Sequence, residues 1–264
     1  MKKYIVIGNP IDHSLSPKLH NFWIKQNKIN AIYERKKLEE NEIEKFIQDI
    51  KKGNISGLNI TVPFKNKAIP YLDKLSQEAE QVQSVNTIIL ENGYLVGYNT
   101  DIAGFTKAIK YINFDMKNRK IFILGAGGVV PSIIFALNKM KVSQITISNR
   151  TRKKAESLKK QFDSLQIVDW GQVPDFDVII NATSLGLNNE FINLDFSNVG
   201  QNKLFYDVIY NPSETHFLKK GIELGNKSEN GKLMFIYQAL EAFKLWHRKE
   251  PVINEEIFKL LDND

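Results

Sequence analysis

A chain of 264 residues with 42% apolar and 25% charged side chains has the make-up of an ordinary globular protein, with room for two modest domains. It contains no cysteine and only four scattered histidines, which excludes a disulfide framework, a thiol nucleophile and a cysteine or H-E-x-x-H metal site, so no metal is expected. The net charge of +6 comes overwhelmingly from lysines interleaved with acids, without clustered arginine or an aromatic platform; with no signal-peptide layout and no membrane-length apolar run, it points to small anions in a cytoplasmic setting and away from nucleic acid or membrane.

Tyr4 to Gly8 reads as a short apolar strand ending in the loop signal Gly8-Asn9-Pro10. After Ser14 come Ser16 and Pro17, an N-cap with proline at the first helical position, and Leu19, Phe22 and Trp23 form the buried face of that helix. Two hydroxyls at a strand-to-helix junction suit a carboxylate; the residues alone favour capping, which explains Ser16 and leaves Ser14 without a role. Ala31 to Leu38 is a second strand, Glu42 to Lys52 an amphipathic helix, and Gly57 to Val62 a third strand stopped by Pro63. Alternation puts Asn59 and Thr61 on one face of that strand, at the carboxyl end where α/β proteins bind ligands, and Lys65 stands just beyond. In so lysine-rich a chain, position alone reads Lys65 as a solvated surface group more often than as a catalytic one.

Asn86 to Leu90 and Tyr94 to Tyr98 flank Asn92-Gly93 and form a hairpin. Asp101 precedes an apolar-periodic helix, Ile102 to Ile112, and is a natural N-cap for it. Ile121 to Leu124 is a buried strand, Gly125-Ala126-Gly127-Gly128 the tight turn after it, and Pro131 to Lys141 a helix: a βαβ start built to hold a phosphate. The third glycine of G-x-G-x-x-G falls on Val130, and Val129-Val130-Pro131 is expected to bulk the helix start beside a pyrophosphate. The next strand, Gln144 to Ser148, ends at Asn149 and Arg150 where an NAD site carries an acid, so a 2′-phosphate and hence NADP(H) is favoured over NAD. A helix from Arg152 to Phe162 follows, then a strand through Asp177 to Ile180 with the polar loop Asn181 to Gly186, a strand from Leu204 to Val208, and a helix opened by Ser213 to Thr215. Gly225 to Lys232 reads as a polar break before a helix from Leu233 to His247 and a short amphipathic segment, Asn254 to Leu261.

Taken in order, His13-Ser14-Leu15-Ser16-Pro17, Gly57-Leu58-Asn59-Ile60-Thr61-Val62-Pro63 with Lys65, Val85-Asn86-Thr87, Asn99-Thr100-Asp101, the glycine turn, Asn149-Arg150-Thr151, Asn181 to Gly186, Tyr206-Asp207-Val208 with Tyr210, and Gln238-Ala239 resemble the NADP-linked shikimate dehydrogenase family over nearly the whole chain. The resemblance implies an α/β substrate domain over residues 1–100, completed by 238–264, a Rossmann-type NADP-binding domain with a parallel sheet over 101–237, and a cleft between them. It implies reduction of 3-dehydroshikimate to shikimate with Lys65 and Asp101 as the catalytic pair. Ser14, Ser16 and Tyr210 would hold the substrate carboxylate, and Asn59, Thr61, Asn86, Asp101 and Gln238 its ring hydroxyls. Gly125, Ala126, Gly127, Gly128, Asn149, Arg150, Thr151, Lys154, Thr183, Ser184, Val208, Gly231 and Met234 would line the cofactor. A monomer or homodimer acting on a small molecule follows. Two alternatives stand beside this: a quinate/shikimate dehydrogenase of broader specificity, and a cofactor-binding sensor without turnover.

Overall fold

A computed structural model describes residues 1–262, which divide into two compact units, each with its own six-stranded sheet. The first unit runs from Met1 to Gly104 and resumes at Ile236; the second is Phe105–Phe235.

In the first unit β1 (Lys2–Gly8) leads to α1 (Ser16–Gln26), β2 (Ala31–Lys37), α2 (Ile43–Lys51) and β3 (Gly57–Ile60). These strands pair in parallel with β1 in the centre, as two βαβ crossovers require. Helix α2 turns Ile43, Phe46, Ile47 and Ile50 inward at i, i+3, i+4 and i+7 onto a core that includes Ile5, Ile7, Leu58 and Ile60, each such burial contributing about 1.5–3 kcal/mol. After β4 (Lys74–Leu75) and α3 (Gln77–Val82), the strands β5 (Thr87–Glu91) and β6 (Tyr94–Tyr98) close the hairpin expected at Asn92-Gly93, where both residues take positive φ. The sheet order is β2-β1-β3-β5-β6-β4, with β5 antiparallel to both neighbours. The β4–α3 segment was not expected. Its signal is local, Ser76 capping the Ala79 N–H with Glu78 and Glu80 in the first turn.

Helix α4 (Asp101–Tyr111) leads into the second unit: β7 (Lys120–Leu124), α5 (Val130–Lys139), β8 (Gln144–Ser148), α6 (Arg152–Gln161), β9 (Gln166–Ile167), β10 (Val178–Asn181), β11 (Leu204–Asp207), α7 (His216–Glu223) and β12 (Lys227–Glu229). All its strand pairs are parallel, and the order β12-β11-β10-β7-β8-β9 places β7 and β10 side by side where the winding reverses. That is the doubly wound dinucleotide topology, with its ligand crevice at the carboxyl ends of the two strands flanking the reversal. The stretch read as a polar break contains β12. Its Lys-Ser-Glu sequence lacks the apolar run of a central strand because it pairs on one side only, with β11, and an edge carries charge readily.

Helix α8 (Lys232–His247) returns the chain to the first unit, where the Trp246 indole donates to the Ile88 carbonyl at 3.2 Å, and α9 (Glu255–Asp262) packs on α1. Among the described residues no helix is long and apolar enough to cross a membrane.

Candidate active site

Lys65 sits in a tight turn directly after β3, pinned by the backbone: Phe64 donates to the Thr61 carbonyl at 3.0 Å, Ala68 to that of Phe64 at 3.0 Å, and Val85 to that of Lys65 at 2.9 Å. Its side chain is only 10% exposed, so it is no solvated surface lysine, and its Nζ lies 2.5 Å from Oδ2 of Asp101, itself 7% exposed. A buried ammonium is tolerated only when paired in this way. The carboxylate sits at the start of α4, where free N–H groups favour negative charge. Asp101 is therefore not a cap. The Ile102 N–H goes to Oδ1 of Asn99 at 3.2 Å, while the two oxygens of Asp101 take Lys65 and the Asn86 amide.

Asn86 and Asn59 meet in the same buried cluster. Asn86 Nδ2 donates to Oδ1 of Asp101 (3.0 Å) and to the Thr100 hydroxyl (2.9 Å), and its Oδ1 accepts the Thr100 N–H (2.8 Å). Asn59 donates both amide hydrogens, to the Asn86 carbonyl and the Thr87 hydroxyl, each at 2.9 Å, and accepts from the Tyr33 hydroxyl at 2.6 Å. Its amide N–H groups are thus already spent within the protein, leaving a single lone pair on Oδ1 for a ligand. Tyr33, Thr87 and Thr100 belong to this cluster without having been singled out as site residues. Tyr33 is remote in sequence, and a threonine within or beside a strand carries no chemical signal of its own.

At the other junction the expected roles of the two serines are exchanged. Leu15 occupies the N-cap position and Ser16 is the first helical residue, so its hydroxyl is past the point from which it caps. It is Ser14 that makes the local bond, its Oγ accepting the Ser16 N–H at 3.3 Å. Arg35 on β2 braces this loop by donating to the Asp12 carbonyl at 2.5 Å and, at 3.5 Å, to that of Ser14. Thr61 follows β3 half-buried, its N–H tied to Ile7. Gln238 lies on α8 in the first unit; Tyr210 belongs to the second, stacked on Phe235 with ring centroids 4.4 Å apart.

In the second unit the glycine turn follows β7. Gly125 has φ +106°, and a Cβ there would lie 2.7 Å from the Ala182 carbonyl, so the β7 and β10 loops approach as closely as backbone permits. Ala126 is half-buried, and Gly127 and Gly128 are exposed at the start of α5. Val130 and Pro131 are buried and Val129 is half-buried, so the apolar bulk of Val130 is in the core and does not fill the turn. Beyond β8, Asn149 donates to the Thr151 carbonyl at 2.8 Å, shaping the loop that presents Arg150, Thr151 and Lys154, all exposed. Arg150 enters no ion pair among the described residues, whereas Arg152 is held by Glu156 and Asp169. After β10, Asn181 accepts the Thr183 N–H (3.1 Å) and hydroxyl (2.7 Å), leaving Ser184 exposed, and donates to Asp207 at 3.0 Å. Burial pushes the Asp207 carboxyl up to about 6, against bonds from Thr215, Ile209 and Asn181 that favour its charged form. Gly231 lies so close to the Val208 carbonyl that any side chain would collide with it, and Met234 is buried one turn on. The glycine turn at the start of α5 and the free guanidinium of Arg150 fit a dinucleotide with a third phosphate.

Comparison with known proteins agrees with both halves. Residues 6–88 match the family model described as the shikimate dehydrogenase substrate binding domain, and residues 107–193 that described as shikimate / quinate 5-dehydrogenase. A protein of Pelagibacter ubique named shikimate dehydrogenase (NADP(+)) is 54% identical over 262 residues, covering 99% of each chain. The crystal structure of shikimate dehydrogenase from Aquifex aeolicus is 35% identical with a TM-score of 0.90, covering 100% of this chain and 98% of that one. The Thermus thermophilus shikimate 5-dehydrogenase, solved in complex with NADP(H) and shikimate, is 29% identical with a TM-score of 0.89, covering 99% and 98%.

Proposed function

The chain belongs to the shikimate dehydrogenase family, and from that premise we propose that Lys65 and Asp101 are the acid/base pair of an NADP-dependent oxidoreductase acting on a CH–OH group. The reaction is the reversible reduction of 3-dehydroshikimate to shikimate, a step toward chorismate and the aromatic amino acids. The first unit serves as the substrate domain and the second as the NADP domain. The observation that carries the assignment of roles is the buried 2.5 Å contact of Lys65 with Asp101.

Bound NADPH supplies a hydride. Reduction of the substrate ketone leaves negative charge on its oxygen, which a nearby ammonium stabilises and protonates. Lys65 provides that group: one of its three N–H donors is engaged by Asp101, and the carboxylate aims the others. In the oxidative direction the same amine, in its neutral form, takes the hydroxyl proton. Asn86, anchored on Asp101, holds the carboxylate in place. Ser14 and Ser16 bind the substrate carboxylate with Tyr210, and Thr61, Asn59 and Gln238 bind ring hydroxyls. Asn149, Arg150, Thr151 and Lys154 receive the 2′-phosphate, Gly125 to Gly128 the pyrophosphate, and Thr183, Ser184, Val208, Gly231 and Met234 line the remaining length of the cofactor.

The test is a spectrophotometric assay of NADP⁺ reduction with shikimate and quinate side by side and NAD⁺ as control. Turnover confined to shikimate with NADP⁺ is expected. Efficient quinate oxidation with NAD⁺ would establish the broader quinate/shikimate activity, and cofactor binding without turnover on either substrate would leave a sensor.

A further inference from the structure

The cluster behind the catalytic pair contains amides that are, in principle, free to point either way, yet two backbone groups fix the orientation of both. The Asn86 carbonyl can only accept, so the atom of Asn59 that faces it at 2.9 Å is Nδ2. Oδ1 of Asn59 then faces Tyr33, whose hydroxyl must donate to it, at 2.6 Å. The second hydrogen on Asn59 Nδ2 goes to the Thr87 hydroxyl at 2.9 Å, which fills one acceptor site there and sends the hydroxyl's own hydrogen onward, to Oδ1 of Asn86 at 3.2 Å or to the Thr100 hydroxyl at 3.4 Å. The Thr100 N–H can only donate, so the atom of Asn86 it meets at 2.8 Å is Oδ1, and Nδ2 is left to face Asp101. A flipped Asn86 would set a carbonyl oxygen against the carboxylate.

We infer that Thr87 is a positioning residue for the reaction: its hydroxyl joins Asn59 to Asn86, directly or through the Thr100 hydroxyl, in a chain from Tyr33 through Asn59, Thr87 and Asn86 to Asp101 that fixes the carboxylate holding Lys65. The inference rests on the reading of Lys65 and Asp101 as the catalytic pair. Thr87 and Asn86 lie at 0% and 3% exposure, so Thr87 acts through its neighbours and touches no ligand. At the head of the chain the Tyr33 ring is stacked on His20 at 4.2 Å and 2°, which holds the phenol oxygen where it donates to Asn59. In a dry cluster a misdirected hydrogen bond is costly to each of its neighbours. Because near-attack geometry is steep in position, the consequence falls on turnover and much less on ground-state binding.

The variants are Thr87→Val, which keeps the shape and removes the hydroxyl, Thr87→Ser, which keeps the hydroxyl and removes a methyl, and Tyr33→Phe, with Lys65→Ala as reference. Steady-state kinetics with shikimate and NADP⁺ should show kcat lowered about tenfold or more in Thr87→Val and Tyr33→Phe with the KM for shikimate changed less than about threefold, and Thr87→Ser within about threefold of the parent. NADPH affinity, read by fluorescence titration, should be unchanged throughout. A parental kcat in Thr87→Val, or a Thr87→Ser as slow as Thr87→Val, overturns the positioning role while the loss in Lys65→Ala leaves the catalytic pair standing. Full turnover in Lys65→Ala overturns the pair and this inference with it. Should Thr87→Val fail to fold, Tyr33→Phe decides: a parental kcat there breaks the chain at its first link.

Discussion

The two units build their functional surfaces by opposite means. In the first, the side chains proposed for catalysis are buried and bonded to one another, Lys65 to Asp101, Asp101 to Asn86, and Asn86 to Thr100, with Asn59 bonded to Thr87 beside them. In the second, the groups proposed for the cofactor are backbone or exposed: the glycine turn after Gly125, and Arg150 with no ion pair among the described residues. Proton transfer needs a donor held in one geometry and shielded from water, which a buried network provides. A phosphate needs only N–H groups, a cation and room. The contrast predicts that substitutions in the first unit act on kcat and those in the second on cofactor affinity.

Four experiments break or sharpen that contrast. Lys65→Ala is expected to lower kcat by about 10²–10⁴-fold, the size of a lost general acid, with NADPH binding by fluorescence titration unaltered; a change in KM alone would erase the distinction. Arg150→Ala removes a charge-assisted bond of about 1.5–3 kcal/mol, so the KM for NADPH should rise about 10- to 100-fold, with NADH use little changed. Equal losses with both cofactors would make Arg150 structural. Gly231→Ala drives a methyl into the Val208 carbonyl; an overpacking cost of about 1–3 kcal/mol should appear in thermal unfolding together with weaker NADPH binding and a nearly unchanged KM for shikimate.

The smallest effect is in acid. Burial, with His247 adding to it, pushes the His20 imidazole down to about 3, and His247 itself is held at about 4. A histidine whose folded pKa lies below its ordinary value contributes stability that is present above pH 6.5 and lost as pH falls toward the folded value. Asp207 has the reverse sign: raised to about 6, it contributes most below its ordinary value of 3.8 and loses that contribution as pH rises through 6. On going from pH 7 to pH 5 the first unit should therefore lose on the order of 2 kcal/mol through His20 while Asp207 partly offsets acid stress in the second. Urea unfolding at the two pH values, followed by the fluorescence of Trp23 and Trp246 in a Trp170→Phe background, reads the first unit. His20→Phe, which preserves a ring against Tyr33, should flatten the dependence, and an unchanged slope in that variant would remove His20 as its cause.

Most strands and helices were legible because each carries its own local pattern: α2 at helical spacing, the Asn92-Gly93 hairpin, the glycine turn before α5. What escaped was short or marginal, as with β12, whose Lys-Ser-Glu is strand only because β11 lies beside it, and β4, two residues long. The cap assignments failed for a related reason. Ser16 and Asp101 have the right chemistry at the right junctions, yet a side chain bonds whatever is nearest in space, and for Asp101 that is Lys65, thirty-six residues away along the chain.

By itself the sequence determined the two-unit α/β character and the glycine turn after β7, and it put Asn149 and Arg150 at the strand end where the proposed 2′-phosphate contacts fall, because turns, caps and strand ends are set by neighbours within a few residues. Tertiary structure decided that Lys65 is buried and paired, that Arg152 is spent on Glu156 and Asp169 while Arg150 is not, that Val130 turns into the core, and that Tyr33, Thr87 and Thr100 join the site. Those outcomes depend on which distant groups share one desolvated volume, and there the cost of leaving any donor or acceptor unpaired selects a single arrangement.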